Sequence, residues 1–268
     1  MALQSFVAKS AKVILLTTTV GAVIGVGLFS FQHPKWTGRM TVQIGQVTNP
    51  SGAGADGSKL IESQLTVADR YNMPTFRSGV LKNMGLPAPE SENEDSALIF
   101  DSLRATPAKS PDLINIQVSG SSREQALKAL ETAFNALATE HDKVYTPAVS
   151  RMKAESAELS AHLSEAERDY QRAYAALNSS NREPSVQNLF TTNVVAQIGA
   201  RIQALRQAKQ RLDDSLADVR TYPSRVLGGY YVPLRPSSPG KTLYGAAGAC
   251  IGLILGFLIA LARNMRRP

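Results

Sequence analysis

Residues 113–137 read LINIQVSGSSREQALKALETAFNAL, a strand pattern followed at once by a helix pattern. The first part alternates apolar and polar residues, as does a strand with one buried face, and its apolar residues are Ile114, Ile116 and Val118. Ser121 and Glu124 form a capping-box pair that predicts the start of a helix, and apolar residues then recur at spacings of three and four as far as Leu137. A strand that leads into an amphipathic helix packed against it predicts an α+β unit.

Two further segments have strand patterns. Residues 40–45 alternate in the same way, and residues 225–232, RVLGGYYV, indicate a short strand with a glycine irregularity that could return to the same sheet. Between them, residues 60–86 place apolar side chains at helical intervals, interrupted at Pro74, which predicts two helices. The turn-rich stretch 49–57 is predicted to be a weakly structured loop.

The charged run Glu90–Asp95 resembles a cation site in composition, but it is flanked by Pro87 and Pro89. Charge runs in this setting are typical of solvated loops, and we predict one here.

From Pro147 onward the chain becomes long, charged and alanine-rich. Apolar residues from Met152 to Leu177 follow spacings of seven, four and three, which is the pattern of a coiled-coil seam. The stretch 178–184 breaks this seam, and a similar one runs from Val195 to Val219. An antiparallel helical hairpin is the simplest arrangement, and an arm of about 30 residues would reach about 45 Å.

Two uncharged apolar runs, 13–31 and 243–262, lie near the two ends of the chain. Each is long enough to cross a hydrocarbon core of about 30 Å. Basic residues flank their outer ends, which places both termini in the cytoplasm by the positive-inside rule: Lys9, Lys12, Arg263, Arg266 and Arg267. The first run exceeds the apolar core of a secretory signal and lacks a small-residue cleavage site, so we expect it to be retained.

The net charge of +7 could suggest a nucleic-acid partner. However, five basic residues flank the apolar runs, and every acidic residue lies between those runs. The intervening region is therefore close to neutral and lacks the basic footprint of a nucleic-acid-binding protein. The one cysteine, Cys250, falls in the second apolar run, where we expect it to pack as a small hydrophobic residue.

Motifs for chemistry are absent from the sequence. Gly240-Lys241-Thr242 resembles the end of a phosphate-binding loop, but Arg235 stands where the first glycine is required. The three histidines, His33, His141 and His162, lie in different predicted elements without metal-ligand spacing. No nucleophile motif occurs either. We predict a protein that is not an enzyme, with no cofactor and no metal.

Two sequence patterns are associated with the apolar runs, one of prolines and one of glycines. Pro233, Pro236 and Pro239 recur every three residues before the second apolar run, which suits a stiff polyproline II strap. Glycines spaced mostly by four within the two runs predict close packing of membrane helices: Gly21, Gly25, Gly245, Gly248, Gly252 and Gly256.

This order of parts resembles the Wzz-type chain-length determinants, the polysaccharide copolymerases of bacterial envelopes. The resemblance covers nearly the whole chain, and the residues that carry it most specifically are the three strap prolines and the glycines after them, with the stretch Leu113–Ala133. It implies a non-enzymatic inner-membrane homo-oligomer, in contact with membrane lipid, that sets the length of O-antigen, capsule or exopolysaccharide made by a separate polymerase. The growing polysaccharide is a further partner to consider.

Two alternatives remain open at this stage. One is a polysaccharide export protein, or an adaptor that activates a separate envelope tyrosine kinase. The other is a ligand-sensing receptor, which we do not favour because the short segment after the second apolar run is not expected to supply an output domain.

The predicted architecture is thus α+β, with two transmembrane helices flanking a periplasmic base and a projecting antiparallel coiled-coil hairpin. Its segments are a cytoplasmic stub (1–12), a membrane helix (13–31), the α+β base (32–146), the helical hairpin (147–222), the returning strand and strap (223–242), a second membrane helix (243–262) and a cytoplasmic tail (263–268).

Overall fold

The computed structural model describes residues 2–29, 34–48, 57–179, 186–238 and 241–265. Its elements, in chain order, are α1 (Ala2–Phe29), β1 (Trp36–Gln43), β2 (Gln46–Thr48), β3 (Ser58–Leu60), α2 (Gln64–Asn72), α3 (Pro74–Met84), α4 (Glu94–Ser102), β4 (Arg104–Pro107), β5 (Leu113–Gly120), α5 (Arg123–Ser179), α6 (Val186–Leu216), β6 (Arg225–Tyr231) and α7 (Lys241–Met265). The mixed α+β class predicted from the sequence is confirmed. Nearly all of the loop predicted at 49–57 lies outside the described residues.

The main sheet has four strands in the order β4-β5-β1-β6, and every neighbouring pair is antiparallel. The prediction that three separate segments share one sheet is therefore confirmed. The predicted glycine irregularity is present as well: Gly228 and Gly229 have φ of 70° and 81°, and the register of β6 against β1 shifts between Arg39 and Thr41. Glycine tolerates this left-handed backbone because it has no Cβ.

One face of this sheet is covered by the first part of α5. Alanines on the covering face bring the helix close to the strands, and a Cβ on Gly120 would lie 2.7 Å from the backbone nitrogen of Ala126. The hydroxyl of buried Tyr71 in α2 donates to the Ala133 carbonyl at 2.9 Å, which ties α2 to the same core. The predicted pair of helices around Pro74 is confirmed as α2 and α3.

Two of the predicted local features require correction. The cap of α5 is Ser122 rather than Ser121, because the Ser122 hydroxyl accepts from the backbone N–H of Gln125 at 3.0 Å. Ser121 donates instead to the Gln125 side chain, so the capping pair is displaced by one residue. The charged run 90–95 is not wholly a loop, since Asn93 caps α4 and the last two acidic residues form its first turn. Acidic side chains there are favoured by the helix dipole.

The helical hairpin is formed by α5 and α6. Its helices run antiparallel, because Ser156 lies against Asp213 and Glu167 pairs with Arg206 further along α5. The predicted seam positions include the buried residues Met152, Ala166, Ile202 and Leu212. The boundary placed at residue 147 falls inside α5, which continues through Pro147 without interruption. Proline removes one backbone hydrogen bond there, and its ring is exposed.

Candidate functional site: the α1–α7 helix pair and its junction with the sheet

Helix α7 has the length and composition of a membrane span. Its stretch Thr242–Ile259 is 18 residues long with a mean hydropathy of 2.0, and it is the one such stretch in the part of the chain that the structure describes. The apolar stretch of α1, Leu15–Gly27, is shorter. Helix α1 itself begins at Ala2, so most of the predicted cytoplasmic stub is helical.

The two helices pack along each other in antiparallel directions, and glycines form the contact. A Cβ on Gly248 would overlap the carbonyl oxygen of Gly21 and lie 3.0 Å from the Cα of Gly25. A Cβ on Gly25 would overlap the carbonyl oxygen of Tyr244, and one on Gly252 would overlap that of Thr17. The backbones therefore approach so closely that no side chain fits between them, as in membrane helix pairs built on small residues.

The other glycines named from the sequence differ in their surroundings. A Cβ on Gly245 would lie 3.2 Å from the Val26 side chain, and Gly256 is buried. Gly27 has nothing within 4 Å of its Cβ position, and Cys250 is exposed on the outside of the pair. The four central glycines, Gly21, Gly25, Gly248 and Gly252, are thus the ones on which close approach depends.

Large apolar side chains point away from the helix contact on both helices. Leu15 is 70% exposed and Ile251 is 60% exposed, and the same holds for many of their neighbours. Such a continuous apolar exterior is unfavourable in water and favourable in lipid. Among these residues are Leu16, Val23, Ile24, Leu253, Ile254 and Leu258.

The strap that precedes α7 is tied to the segment that follows α1. The backbone N–H of Ser237 donates to the Lys35 carbonyl at 2.7 Å, and the N–H of Lys35 donates to the Ser238 hydroxyl at 2.9 Å. Ser237 also accepts from the N–H of Thr37 at 3.2 Å. These serines join the two chain segments that leave the sheet toward α1 and α7, a role with no signal in the sequence.

The strap prolines are placed differently from the expectation. Pro233 is half-buried next to the buried Val232, and Pro236 is exposed. The chain bends at 234–235 and again at 237–238, so the described part is not the uninterrupted polyproline II segment predicted from the spacing. The hydrogen bonds that Ser237 and Ser238 make with Lys35 and Thr37 hold the chain in this bent path instead. Pro239 lies outside the described residues, as does the Gly240 of the false phosphate-loop pattern.

A buried polar network at the foot of the hairpin was missed by sequence reasoning. His141 of α5 is 3% exposed, and its two ring nitrogens lie 2.6 Å from the Ser224 hydroxyl and 3.1 Å from a Glu62 carboxylate oxygen. The other Glu62 oxygen accepts from Arg70 at 2.7 Å. These residues come from three distant parts of the chain, so no local spacing indicates that they meet.

The hydrogen-bond pattern assigns this network a structural role. Ser224 Oγ accepts from the Gly45 N–H at 2.8 Å. The ionised Glu62 carboxylate can only accept, so Nε2–H of His141 donates to it, and in the neutral ring Nδ1 then accepts from the Ser224 hydroxyl. Although serine, histidine and glutamate are adjacent here, the hydroxyl is buried and already engaged by a backbone donor. The network therefore links α5 to the ends of β1 and β6 and to the start of α2.

The carboxyl group of Glu62 is the charged centre of the network. Burial acts to raise its pKa, but hydrogen bonds from Arg70 and His141 outweigh burial and hold the pKa below its ordinary value of 4.5. Ionised Glu62 therefore stabilises the folded state above pH 4.5, and this contribution is lost as the pH falls through the depressed pKa.

This predicts a measurable pH dependence of stability. The melting temperature of the detergent-solubilised protein should fall more steeply below pH 4.5 than that of Glu62→Gln, because the variant lacks the titrating carboxylate. Glu155→Gln, at an exposed position of α5, is the control and should keep the wild-type slope. Parallel pH curves for the wild type and Glu62→Gln would contradict the prediction.

No family model matches this chain, and no curated protein matches it. Among solved structures, a full-length bacterial polysaccharide co-polymerase is 14% identical, with 99% of this chain and 97% of that chain covered and a TM-score of 0.47.

Two other solved structures cover the region between the chain ends. The Shigella flexneri O-antigen chain-length regulator WzzBSF, as its A107P mutant, is 14% identical over 76% of this chain and 100% of that chain, with a TM-score of 0.27. A fragment of WzzB, a polysaccharide co-polymerase from Salmonella Typhimurium, is 14% identical with the same coverage and a TM-score of 0.20. These structural neighbours are polysaccharide co-polymerases and chain-length regulators, the class that the sequence resembles.

Proposed function

We propose that this protein is an inner-membrane polysaccharide co-polymerase. In this role it regulates the chain length of O-antigen, capsular polysaccharide or exopolysaccharide as an oligomeric scaffold for a separate polymerase. The observation that carries the proposal is the antiparallel α1–α7 pair. Its glycine contact and apolar exterior support two membrane crossings that return both ends of the sheet and hairpin to one membrane surface.

The proposed topology rests on the same pair. If α1 and α7 both cross, the flanking basic residues place the termini in the cytoplasm and the sheet and hairpin in the periplasm. The helix pair would then contact membrane lipid through the apolar side chains that face outward.

The polar interior of the base is compatible with a scaffold role. The buried network of Ser224, His141 and Glu62 has its hydroxyl and both ring nitrogens in internal hydrogen bonds. We therefore propose a protein that acts through contacts with its partners.

Assembly into a homo-oligomer is supported by the hairpin. Beyond the base, α5 and α6 bury few seam residues, and most others on these helices are half-buried or exposed, including Tyr170 and Tyr174. Long helices with narrow apolar seams gain stability from neighbouring helices. Copies packed side by side around the membrane helices would supply those neighbours.

The test is deletion of the gene, followed by electrophoresis of the surface polysaccharide. We expect the deletion strain to lose the wild-type modal length, and a plasmid copy of the intact gene to restore it. A polysaccharide of unchanged length and yield in the deletion strain would overturn the proposed function.

The strap provides a second prediction within this function. Replacing Pro233, Pro236 and Pro239 together by alanine frees three φ angles next to the membrane, so the sheet should be held less firmly above α7. We expect an altered chain-length profile with normal protein level and membrane insertion. The double variant Pro87→Ala/Pro89→Ala is the control, since it relaxes a loop elsewhere in the base. A wild-type profile for the triple variant would mean that the strap is only a linker.

A further inference from the structure

Among the residues that the structure describes, no helix covers the second face of the main sheet. Side chains that point away from α5 form rows that cross all four strands, and the strand registers define two complete rows. The first row is Arg104, Gln117, Arg39 and Tyr231, and the second is Thr106, Asn115, Thr41 and Leu227. Each row spans about 14 Å, because neighbouring strands lie about 4.8 Å apart.

The first row combines two positive charges with an amide and an aromatic ring. Two guanidinium groups, Arg104 and Arg39, stand on either side of the Gln117 amide, and the Tyr231 ring, 65% exposed, ends the row. All four side chains are exposed to solvent. The second row adds hydroxyl and amide groups, with Thr41 donating to the Asn115 side chain at 2.9 Å.

A hollow lies over these rows where β6 is irregular. Its volume is about 610 Å³, and Gly228 and Gly229 line one side of it, opposite Asn115 and Gln117. No atom lies within 4 Å of the position that a Cβ would take on either glycine, so the hollow is open on the β6 side. The volume falls in the range of binding sites for small ligands.

The guanidinium groups of the two rows, Arg39 and Arg104, have no ion-pair partner among the described residues. Asp112, which directly precedes β5, accepts hydrogen bonds from the side chains of Gln43 and Ser110. Glu94, Asp95 and Asp101 of α4 line the neighbouring groove with Arg104, so the nearby negative charge of the chain lies at one edge of this face. The two rows themselves contain no carboxylate, so a ligand could supply it.

We propose that this face binds an acidic glycan, that is, a polyhydroxylated chain that carries carboxylates. Guanidinium groups bind carboxylates in a two-pronged geometry, amides and hydroxyls match sugar hydroxyls, and a tyrosine ring offers an apolar surface to a sugar ring. The proposal rests on the proposed function, which places a polysaccharide next to the base. It adds the substrate class and the residues that contact it.

The test uses the full-length protein in nanodiscs of zwitterionic lipid. Alginate oligosaccharides, which are chains of uronic acids, are the probe, and neutral dextran oligosaccharides of the same length are the comparison. We expect calorimetry to detect alginate binding that weakens with added salt and is not displaced by dextran. Arg39→Gln and Arg104→Gln should each weaken it by about tenfold.

The control variant is Arg168→Gln, which makes the same charge change at an exposed position on the hairpin and should bind alginate as the wild type does. Absence of alginate binding, or equal binding by all three variants, would overturn the proposal. A change of oligomer mass in Arg39→Gln without a change in alginate binding would also overturn it, because the face would then contact a second copy of the chain. Binding to anionic lipid vesicles but not to alginate would overturn it as well.

These outcomes are separable from a failure of the proposed function. The binding measurement does not involve chain length, and the deletion experiment does not involve the sheet face. Loss of modal length on deletion, combined with no alginate binding, would leave the co-polymerase role standing without this site.

Discussion

Replacing Gly248 by leucine should prevent α1 and α7 from packing together. The new side chain would collide with the backbone of Gly21 and Gly25, which cannot move as the end of a flexible side chain can. Overpacking alone costs about 1–3 kcal/mol, and a backbone collision in a helix pair should exceed that range. We expect the melting temperature of the detergent-solubilised protein to fall by about 10 °C or more and the chain-length profile to shift toward that of the deletion strain.

Gly27 provides the matched control for this substitution. It lies in the same helix as Gly21 and Gly25, but its Cβ position has nothing within 4 Å. Gly27→Leu should therefore keep the wild-type melting temperature and the wild-type profile. If Gly248→Leu and Gly27→Leu behave alike, the close contact of the two helices does not stabilise the protein.

Replacing His141 by alanine should cause the second large loss. The substitution removes both ring hydrogen bonds and leaves the Ser224 hydroxyl and the Glu62 carboxylate short of a buried partner. Leaving buried polar and charged groups unpaired costs about 2–4 kcal/mol. For a domain of this size we expect the melting temperature to drop by about 5–10 °C.

His162 serves as the control because it lies on the same helix and its side chain is 45% exposed. His162→Ala should change the melting temperature by no more than about 2 °C, as is usual for surface substitutions. The contrary result would be equal melting temperatures for the two variants, which would mean that water replaces the ring of His141 without cost.

The parts of the fold that are visible in the sequence are those with a regular period. Alternation identified β1 and β5, the segment RVLGGYYV indicated β6 with its glycine irregularity, and helical spacing identified α2, α3 and the hairpin helices. β4 has four residues, Arg-Ala-Thr-Pro, and this is too short for alternation to be recognised. The shift of the α5 cap by one residue reflects two adjacent serines, each of which has a suitable partner three residues later.

Contacts between distant residues are what sequence reasoning could not supply. The glycine spacing pointed to close helix packing, but it could not assign the central contact to Gly21 and Gly248 in preference to Gly245. The His141 network joins residues from positions 45 to 224, and its members have no common spacing. In the strap, distant contacts override a local preference. The prolines favour an extended path, but the hydrogen bonds of Ser237 and Ser238 with Lys35 bend the segment.

Because α5 continues through Pro147, the hairpin arm and the helix that covers the sheet are expected to move together. The helix that covers the sheet is the same helix that forms the arm, and from His141 to Ser179 it extends about 57 Å at 1.5 Å per residue. A rigid tilt of about 5° at the His141 network would move the far end by about 5 Å. Force applied to the tip is therefore transmitted to the sheet as torque, and a bend at Pro147 is where that transmission would be lost.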